Sequence, residues 1–215
     1  MIISKDIQEK ILNLKPIYLP SSVDKFFSWQ ELEFLLNLRP FVNIFRFKPT
    51  NFDPLEWGTD AWISDSNSLP PSVINYYISK HVCYLHDASR VNKQVNQICN
   101  ELEKLFDSAA DAHIYFYLGK DFSGNPQGFH KHNDSSHNFI VQIEGTTNFK
   151  VWDLDDTLII DTIMTPGDSI FIPEKYYHYA HSLEKRLSIS FPIIPKKIKP
   201  QDRLWIDIKN KLQEY

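Results

Sequence analysis

Residues 128 to 145 read GFHKHNDSSHNFIVQIEG, a span that carries His130, His132, Asp134 and His137. In an extended segment alternate side chains share a face, so His130, His132 and Asp134 point the same way. Imidazole nitrogen and carboxylate oxygen together form a donor set that suits a borderline transition metal. A further histidine has to come from elsewhere in the chain. The run PGDSIFIPEKYYHYAH supplies it: Pro166-Gly167-Asp168 is a turn, SIFIP a strand, and His178 sits just past that strand. Two histidines and one carboxylate leave coordination positions open, as in the facial triad of non-haem Fe(II) oxygenases. A lone His-x-Asp recurs by chance as a surface pair. Here an apolar strand follows it and a second histidine follows a turn–strand unit, which favours metal binding by His132, Asp134 and His178.

The elements that must position these residues divide the chain of 215 residues into three parts of one domain. Residues 1 to 110 read as mostly helical. DIQEKILNL is a short amphipathic helix ended before Pro16, and SWQELEFLLNL opens with Ser28 and Glu31 spaced as a capping box. SVINYYISK and VNKQVNQICNELEKLF carry helical spacing of apolar residues; FVNIFRF and HVCYL read as strands, and SDSNSLPPS as a loop. Residues 111 to 195 change character: AHIYFYLG, NFIVQIEG, NFKVWDL, DTLIIDTIM, DSIFIP and RLSISFPII are short strands punctuated by Gly, Pro, Asn and Asp. That pattern predicts an antiparallel sandwich or barrel, so the fold class is mainly β with a helical N-terminal part. Residues 196 to 215 read as a basic linker and a closing helix. Apolar Leu204, Ile206, Ile208 and Leu212 pack that helix on its own barrel or against a second copy in a homodimer.

Composition narrows the function classes. A hydrophobic fraction of 42% and an aromatic fraction of 14% describe a globular chain. A net charge of -4 argues against general nucleic-acid binding, which needs a basic face. Two cysteines, Cys83 and Cys99, make no disulfide framework; small core residues in a reducing, cytoplasmic setting are expected. MIISKDIQEK has no basic segment followed by an apolar run, so no secretory signal is expected, and no apolar run is long enough for a membrane span.

The succession HNDSSHNFIVQIEG, FKVW, GDSIFIPEKYYHYA resembles the JmjC-type cupin oxygenases, in particular the bacterial cupin-like and ribosomal oxygenase-like protein hydroxylases. The matching positions are His132, Asp134, Gln142, Gly145, Gly167, Asp168, Pro173 and His178, and the likeness runs over about residues 20 to 195. The resemblance implies a double-stranded β-helix (cupin or jelly-roll) barrel flanked by α-helices. It also implies Fe(II) as metal, 2-oxoglutarate as co-substrate, O₂ as oxidant, and hydroxylation of a peptide or protein side chain with release of succinate and CO₂. Three protein ligands leave room for the two-oxygen chelate of the oxoacid and for O₂, and the cofactor system carries the hard chemistry. The short chain further suggests a peptide substrate, such as a natural-product precursor peptide. His130-x-His132 also resembles the first motif of the small metal-binding cupins. In that reading His130, His132, His137 and His178 make a four-nitrogen site for a dioxygenase or isomerase that works without 2-oxoglutarate. A third reading is a non-catalytic cupin binding module.

One departure bears on the co-substrate. The family commonly holds the distal carboxylate of 2-oxoglutarate with a Lys or Arg fifteen residues after the first metal histidine, and that position is Thr147. Lys150 is near, but strand parity places it on the opposite face from Thr147. Arg186-x-Ser188, on the last strand, resembles the Arg-x-Ser pair of other 2-oxoglutarate oxygenases with this fold. A guanidinium binds a carboxylate through two parallel hydrogen bonds and a nearby hydroxyl adds a third. Arg186 and Ser188 are therefore the expected anchor, with Tyr115 and Tyr117 offering phenols and Thr147 keeping the family position.

Overall fold

The computed structural model describes residues 2–37, 82–118 and 131–194, together with the backbone of strand 45–48. Among the described residues three helices flank the barrel strands. α1 (Lys5–Ile11) starts at Ser4, whose hydroxyl accepts from the Ile7 N–H, and it buries Ile7 and Ile11. α2 (Trp29–Leu36) starts at Ser28 as expected: the Ser28 hydroxyl accepts from the Glu31 N–H at 3.2 Å and donates to the Glu31 carboxylate at 2.8 Å. α3 (Lys93–Phe106) is capped by Asn92, whose side-chain oxygen accepts from the Val95 N–H at 2.8 Å. Its buried stripe is Val95, Ile98, Cys99 and Leu102, the i, i+3, i+4, i+7 spacing of one helix face.

The strands are β1 (Ile17–Leu19), β2 (Phe45–Lys48), β3 (Val82–Leu85), β4 (His113–Tyr117), β5 (His137–Glu144), β6 (Thr147–Trp152), β7 (Leu158–Met164), β8 (Ser169–Ile172), β9 (Tyr177–Ser182) and β10 (Arg186–Ile193). They form a seven-stranded sheet, β1-β8-β5-β10-β4-β3-β2, and a three-stranded sheet, β7-β6-β9, all antiparallel.

Period-two alternation assigns each strand residue to one of two cores. Leu187, Ile189, Phe191 and Ile193 of β10 join Ile114, Phe116, Phe139, Val141 and Phe171 on the face that the helices cover with Ile98, Leu102, Leu32 and Ile7. The opposite face looks into the space between the sheets. There Ile140, Phe149, Val151, Met164, Ile170 and Ile172 form a smaller apolar cluster. The rest of that interior is polar and buried: Asn138, Gln142, Thr147, His178, Ser182, Arg186, Ser188 and Ser190. An apolar side chain at each of these positions would contribute about 1.5–3 kcal/mol by burial. A polar stripe retained inside a barrel costs stability and marks a place where local folding rules yield to a site.

Several motif residues are supports. The Asp168 carboxylate accepts from the Tyr18 hydroxyl, the Ser21 N–H, the Thr165 N–H and the Thr165 hydroxyl at 2.7–3.0 Å, and these bonds hold it below the usual carboxylate range against its burial. The Gln142 side-chain amide donates to the carbonyls of Glu144 and Gly145, which fixes the β5–β6 turn. Gly145 has φ +72°, and a Cβ there would lie 1.7 Å from the Lys185 carbonyl oxygen, so only glycine lets the β5–β6 turn pack on the β9–β10 turn.

Cys83 and Cys99 are buried core residues. The expected strand HVCYL is β3, and the expected FVNIFRF strand is described as β2 from Phe45 onward. The SVINYYISK helix, the SDSNSLPPS loop and the closing helix lie outside the described residues. His178 and His181, expected past a strand and on a loop, both lie within β9. The run YHYAHS has no aliphatic alternation, which conceals a strand whose inner residues are His178, Ala180 and Ser182. No helix among the described residues is long and apolar enough to cross a membrane.

Candidate metal centre and a buried cation

His132, Asp134 and His178 come together, each offering one ligand atom, with those atoms within 4.8 Å of one another. Backbone pairing sets the arrangement. His132 and His178 face each other across an antiparallel bridge in which each N–H donates to the other's carbonyl, at 3.1 and 2.8 Å. Their rings lie 4.3 Å apart. Asp134 is held two residues on by its carbonyl, which accepts from the Lys175 N–H at 3.0 Å. Its Oδ2 lies 3.5 Å from His178 Nε2, and its Oδ1 lies 3.9 Å from His132 Nε2.

Exposure differs across the triad. The His178 side chain is 7% exposed, whereas those of His132 and Asp134 are 32% and 39% exposed. The cluster therefore has one buried flank and one open flank. Burial, and secondarily His132, pushes the His178 imidazole down to about 4, so it is neutral at pH 7. Its Nδ1 lies 3.2 Å from the Tyr176 carbonyl, and a proton donated there leaves the Nε2 lone pair facing Asp134. Phe149 stacks on the same ring at 6.1 Å. Two imidazole nitrogens and one carboxylate, oriented by such hydrogen bonds, fit a divalent transition metal with open positions.

The Asp134 carboxylate has a second support. The Asn138 side-chain amide donates to its Oδ2 at 2.7 Å, and the Ser190 hydroxyl donates to the Asn138 Oδ1 at 3.3 Å. The bonded series links the triad to the inner face of β10, which carries Ser190, Ser188 and Arg186 in turn. Nothing in the sequence singled out Asn138; its spacing of four from Asp134 is the one available signal.

Arg186 is 4% exposed and Ser188 fully buried. The Arg186 Nε–H donates to the Ser188 hydroxyl at 3.1 Å. Among the described residues no carboxylate pairs with this guanidinium; its electrostatic neighbour is the Tyr115 phenol, and burial pushes Arg186 down to about 10. Tyr115 faces Ser188 and Tyr117 faces Arg186 across the β4–β10 ladder. Burial raises the Tyr115 phenol, with Tyr84 and Asp134 adding to the shift and Arg186 opposing it. Thr147 is buried, and its hydroxyl donates to the Gln142 Oε1 at 3.1 Å. Lys150 points away, as parity requires: it pairs with Asp161 at 3.1 Å on the outer face of the small sheet.

The four-nitrogen set does not assemble among the described residues. His137 turns to the helix-covered face, between Phe106 and Phe171, and its Nδ1 accepts from the Glu174 N–H at 3.0 Å. His130 lies outside the described residues. His181 lies on the outer face of β9, stacked on Tyr179.

No family model matches the chain. Among curated proteins it is 26% identical over 147 residues to the bifunctional lysine-specific demethylase and histidyl-hydroxylase NO66 of Drosophila persimilis, covering 58% of this chain and 20% of that protein. The protein of the same description from Branchiostoma floridae is 27% identical over 143 residues, covering 66% of this chain and 22% of that one. The chain thus spans about a fifth of the length of these relatives. Among solved structures it is similar to YcfD, a ribosomal oxygenase from Escherichia coli, in complex with cobalt and 2-oxoglutarate: TM-score 0.62, 16% identity, 100% of this chain and 57% of that chain. A second YcfD structure gives TM-score 0.59 at 17% identity, over 93% of this chain and 52% of that chain. The likeness shows the fold, a double-stranded β-helix barrel, and the relatives bear out the resemblance to JmjC-type cupin oxygenases.

Proposed function

We propose that this chain is an Fe(II)- and 2-oxoglutarate-dependent oxygenase that hydroxylates a side chain of a peptide or protein. The observation that carries the reading is the pair of features on one barrel interior: a His-Asp-His cluster open on one flank, and a buried guanidinium with no carboxylate partner among the described residues. A buried charge without a partner is strongly unfavourable, so the position calls for an anion from outside the chain. An acid that also chelates a metal satisfies both features at once.

His132, Asp134 and His178 would hold the metal. Arg186, with Ser188 at its Nε, would take the distal carboxylate, and Tyr115 and Tyr117 line β4 opposite these residues. Fe(II) with 2-oxoglutarate and O₂ would supply the oxidant, with one oxygen atom going to the succinate left after loss of CO₂ and the other to a substrate C–H bond. Asn138 keeps the Asp134 carboxylate oriented, and the apolar cluster around Phe149 and Val151 keeps water from the buried flank. The YcfD structure in complex with cobalt and 2-oxoglutarate has this fold, and NO66 is a histidyl-hydroxylase by its description. Both support a protein or peptide as substrate.

The test is to incubate the purified protein with Fe(II), 2-oxoglutarate, O₂ and candidate peptides, and to follow succinate and peptide mass. A gain of one oxygen on a peptide, matched by succinate and lost in Asp134→Ala, is the expected result. Full function in a His132→Ala variant, with no succinate formed under any condition, would support a binding module instead.

A further inference from the structure

The Ser182 hydroxyl is a buried side-chain group with no hydrogen-bond partner among the described residues, and its residue is 0% exposed. A hydroxyl buried without a partner costs free energy that an alanine would not. Its place in the fold makes this more than a packing flaw. Ser182 ends β9 and Arg186 begins β10, so only residues 183–185 separate them, and both side chains face the interior. That end of the barrel is closed by two turns in contact: the Leu183 N–H donates to the Thr146 carbonyl at 3.1 Å, and Gly145 lies against the Lys185 backbone. Ser182 also stands directly opposite Thr147 in the β6–β9 ladder.

The Thr147 hydroxyl donates to Gln142, whose amide donates to Glu144 and Gly145, and it makes no bond to the Ser182 hydroxyl. Among the described residues three groups at this end have donor hydrogens to offer. Arg186 has its Nη–H groups, Ser188 accepts from Arg186 and keeps its own O–H, and Ser182 keeps its O–H. A carboxylate is acceptor-only and complements groups that each have a donor hydrogen to offer.

We propose that Ser182 is a co-substrate-binding residue: its hydroxyl donates to the same distal carboxylate that Arg186 binds. The anchor then spans both sheets, with Arg186 and Ser188 from the large one and Ser182 from the small one. This inference rests on the 2-oxoglutarate reading given above. It assigns to this chain a serine that has no counterpart in the Arg-x-Ser pattern and explains how an interior with Thr147 in place of a cation still holds a diacid.

The experiment uses the full chain loaded with Co(II), titrated with 2-oxoglutarate and, separately, with pyruvate, which keeps the chelating end and lacks the distal carboxylate. Thermal unfolding of the metal-free protein is measured alongside. Ser182→Ala is expected to raise the Kd for 2-oxoglutarate about 10-fold, the effect of one hydrogen bond to a charged group. The pyruvate Kd should stay within about twofold, and the metal-free Tm should hold or rise, since an unpaired buried hydroxyl has been removed. Ser182→Cys, a near-isostere with a weak donor, should shift the Kd in the same direction. An unchanged 2-oxoglutarate Kd in Ser182→Ala, or an equal loss for pyruvate, overturns the role of Ser182 and leaves the oxygenase reading standing. A fall in the metal-free Tm assigns the hydroxyl a structural role and also overturns it. Wild-type protein that binds the two acids alike overturns both the role and the reading beneath it.

Discussion

Replacing Arg186 with methionine keeps most of the buried stem and removes the guanidinium. In the wild-type protein the guanidinium is 4% exposed, bonded through Nε to Ser188, and unpaired with any carboxylate among the described residues. With the diacid bound it becomes one half of a buried, charge-assisted pair. Truncating one partner of such a pair costs about 2–5 kcal/mol, or a rise in Kd of roughly 30-fold to several thousand-fold. The lower end applies if the hydroxyl of Ser188 and the phenol of Tyr115 retain the acid in the absence of the cation. Calorimetric titration of Co(II)-loaded protein with 2-oxoglutarate measures the change directly. Metal affinity should stay within about twofold, because Arg186 is not among the clustered ligand atoms. The metal-free protein should lose no stability, since exchanging a buried ion for an apolar side chain of similar volume is often neutral or favourable. Lys150→Ala is the control: its pair with Asp161 lies on the outer face, exposed pairs contribute about 0–1 kcal/mol, and the Kd should not move. Wild-type affinity in Arg186→Met, or a large loss in Lys150→Ala, would refute the assignment of the anchor to β10.

Asp134→Ala and His178→Ala should each abolish metal binding measured by calorimetry, with the unfolding midpoint of the metal-free protein little changed for Asp134, whose side chain is 39% exposed. Burial, and then His86, hold the His113 imidazole at about 4. Its unfolded-state value is near 6.5, so the unfolded chain binds more protons between these values. The stability tied to neutral His113 is full above pH 6.5 and is lost as pH falls toward 4, at most about 3 kcal/mol. His113→Gln should flatten that part of a Tm-against-pH curve for metal-free protein, and an unchanged curve would contradict the assignment. Gly145→Ala combines a left-handed φ with a backbone collision. It should cost at least about 2 kcal/mol, lower the Tm by about 4 °C or more, and weaken 2-oxoglutarate binding, because the Arg186 Cα is 3.3 Å from the added atom.

Much of this was legible in residue order because its determinants are local. Ser28 and Glu31 cap α2 through contacts three residues apart, and alternation in RLSISFPI alone separates Arg186 and Ser188 from the apolar core face. Parity also placed Lys150 on the outer face, where it pairs with Asp161. The triad could be read because its residue types are rare in that combination and stand beside recognisable turns. β9 escaped notice because its inner face carries His178, Ala180 and Ser182, where a strand detector looks for aliphatic residues. His137 was grouped with the metal histidines by nearness in sequence. Within β5 it lies one residue out of phase with inward-facing Asn138 and Gln142, and it packs against Phe106 instead. Asn138 joins Asp134, four residues away, to Ser190, which is distant in sequence, and Ser182 matters through the lack of a partner among the described residues; the last two leave no local mark.

The bridge between His132 and His178 has a consequence for how the protein reaches its working state. Register in a β-ladder changes only in whole residues, and a slip of one residue turns a side chain to the opposite face. Such a slip in β9 would replace His178 by Tyr177 or Tyr179 opposite His132, leaving one imidazole and a carboxylate that hold a metal poorly. Metal capture by the proposed triad would therefore discriminate between registers: a correctly closed barrel would be stabilised by the ion, and a slipped one would gain almost nothing. In a fold assembled from antiparallel pairings between distant parts of the chain, an ion bound for the proposed chemistry would also serve as a selector for the native strand alignment.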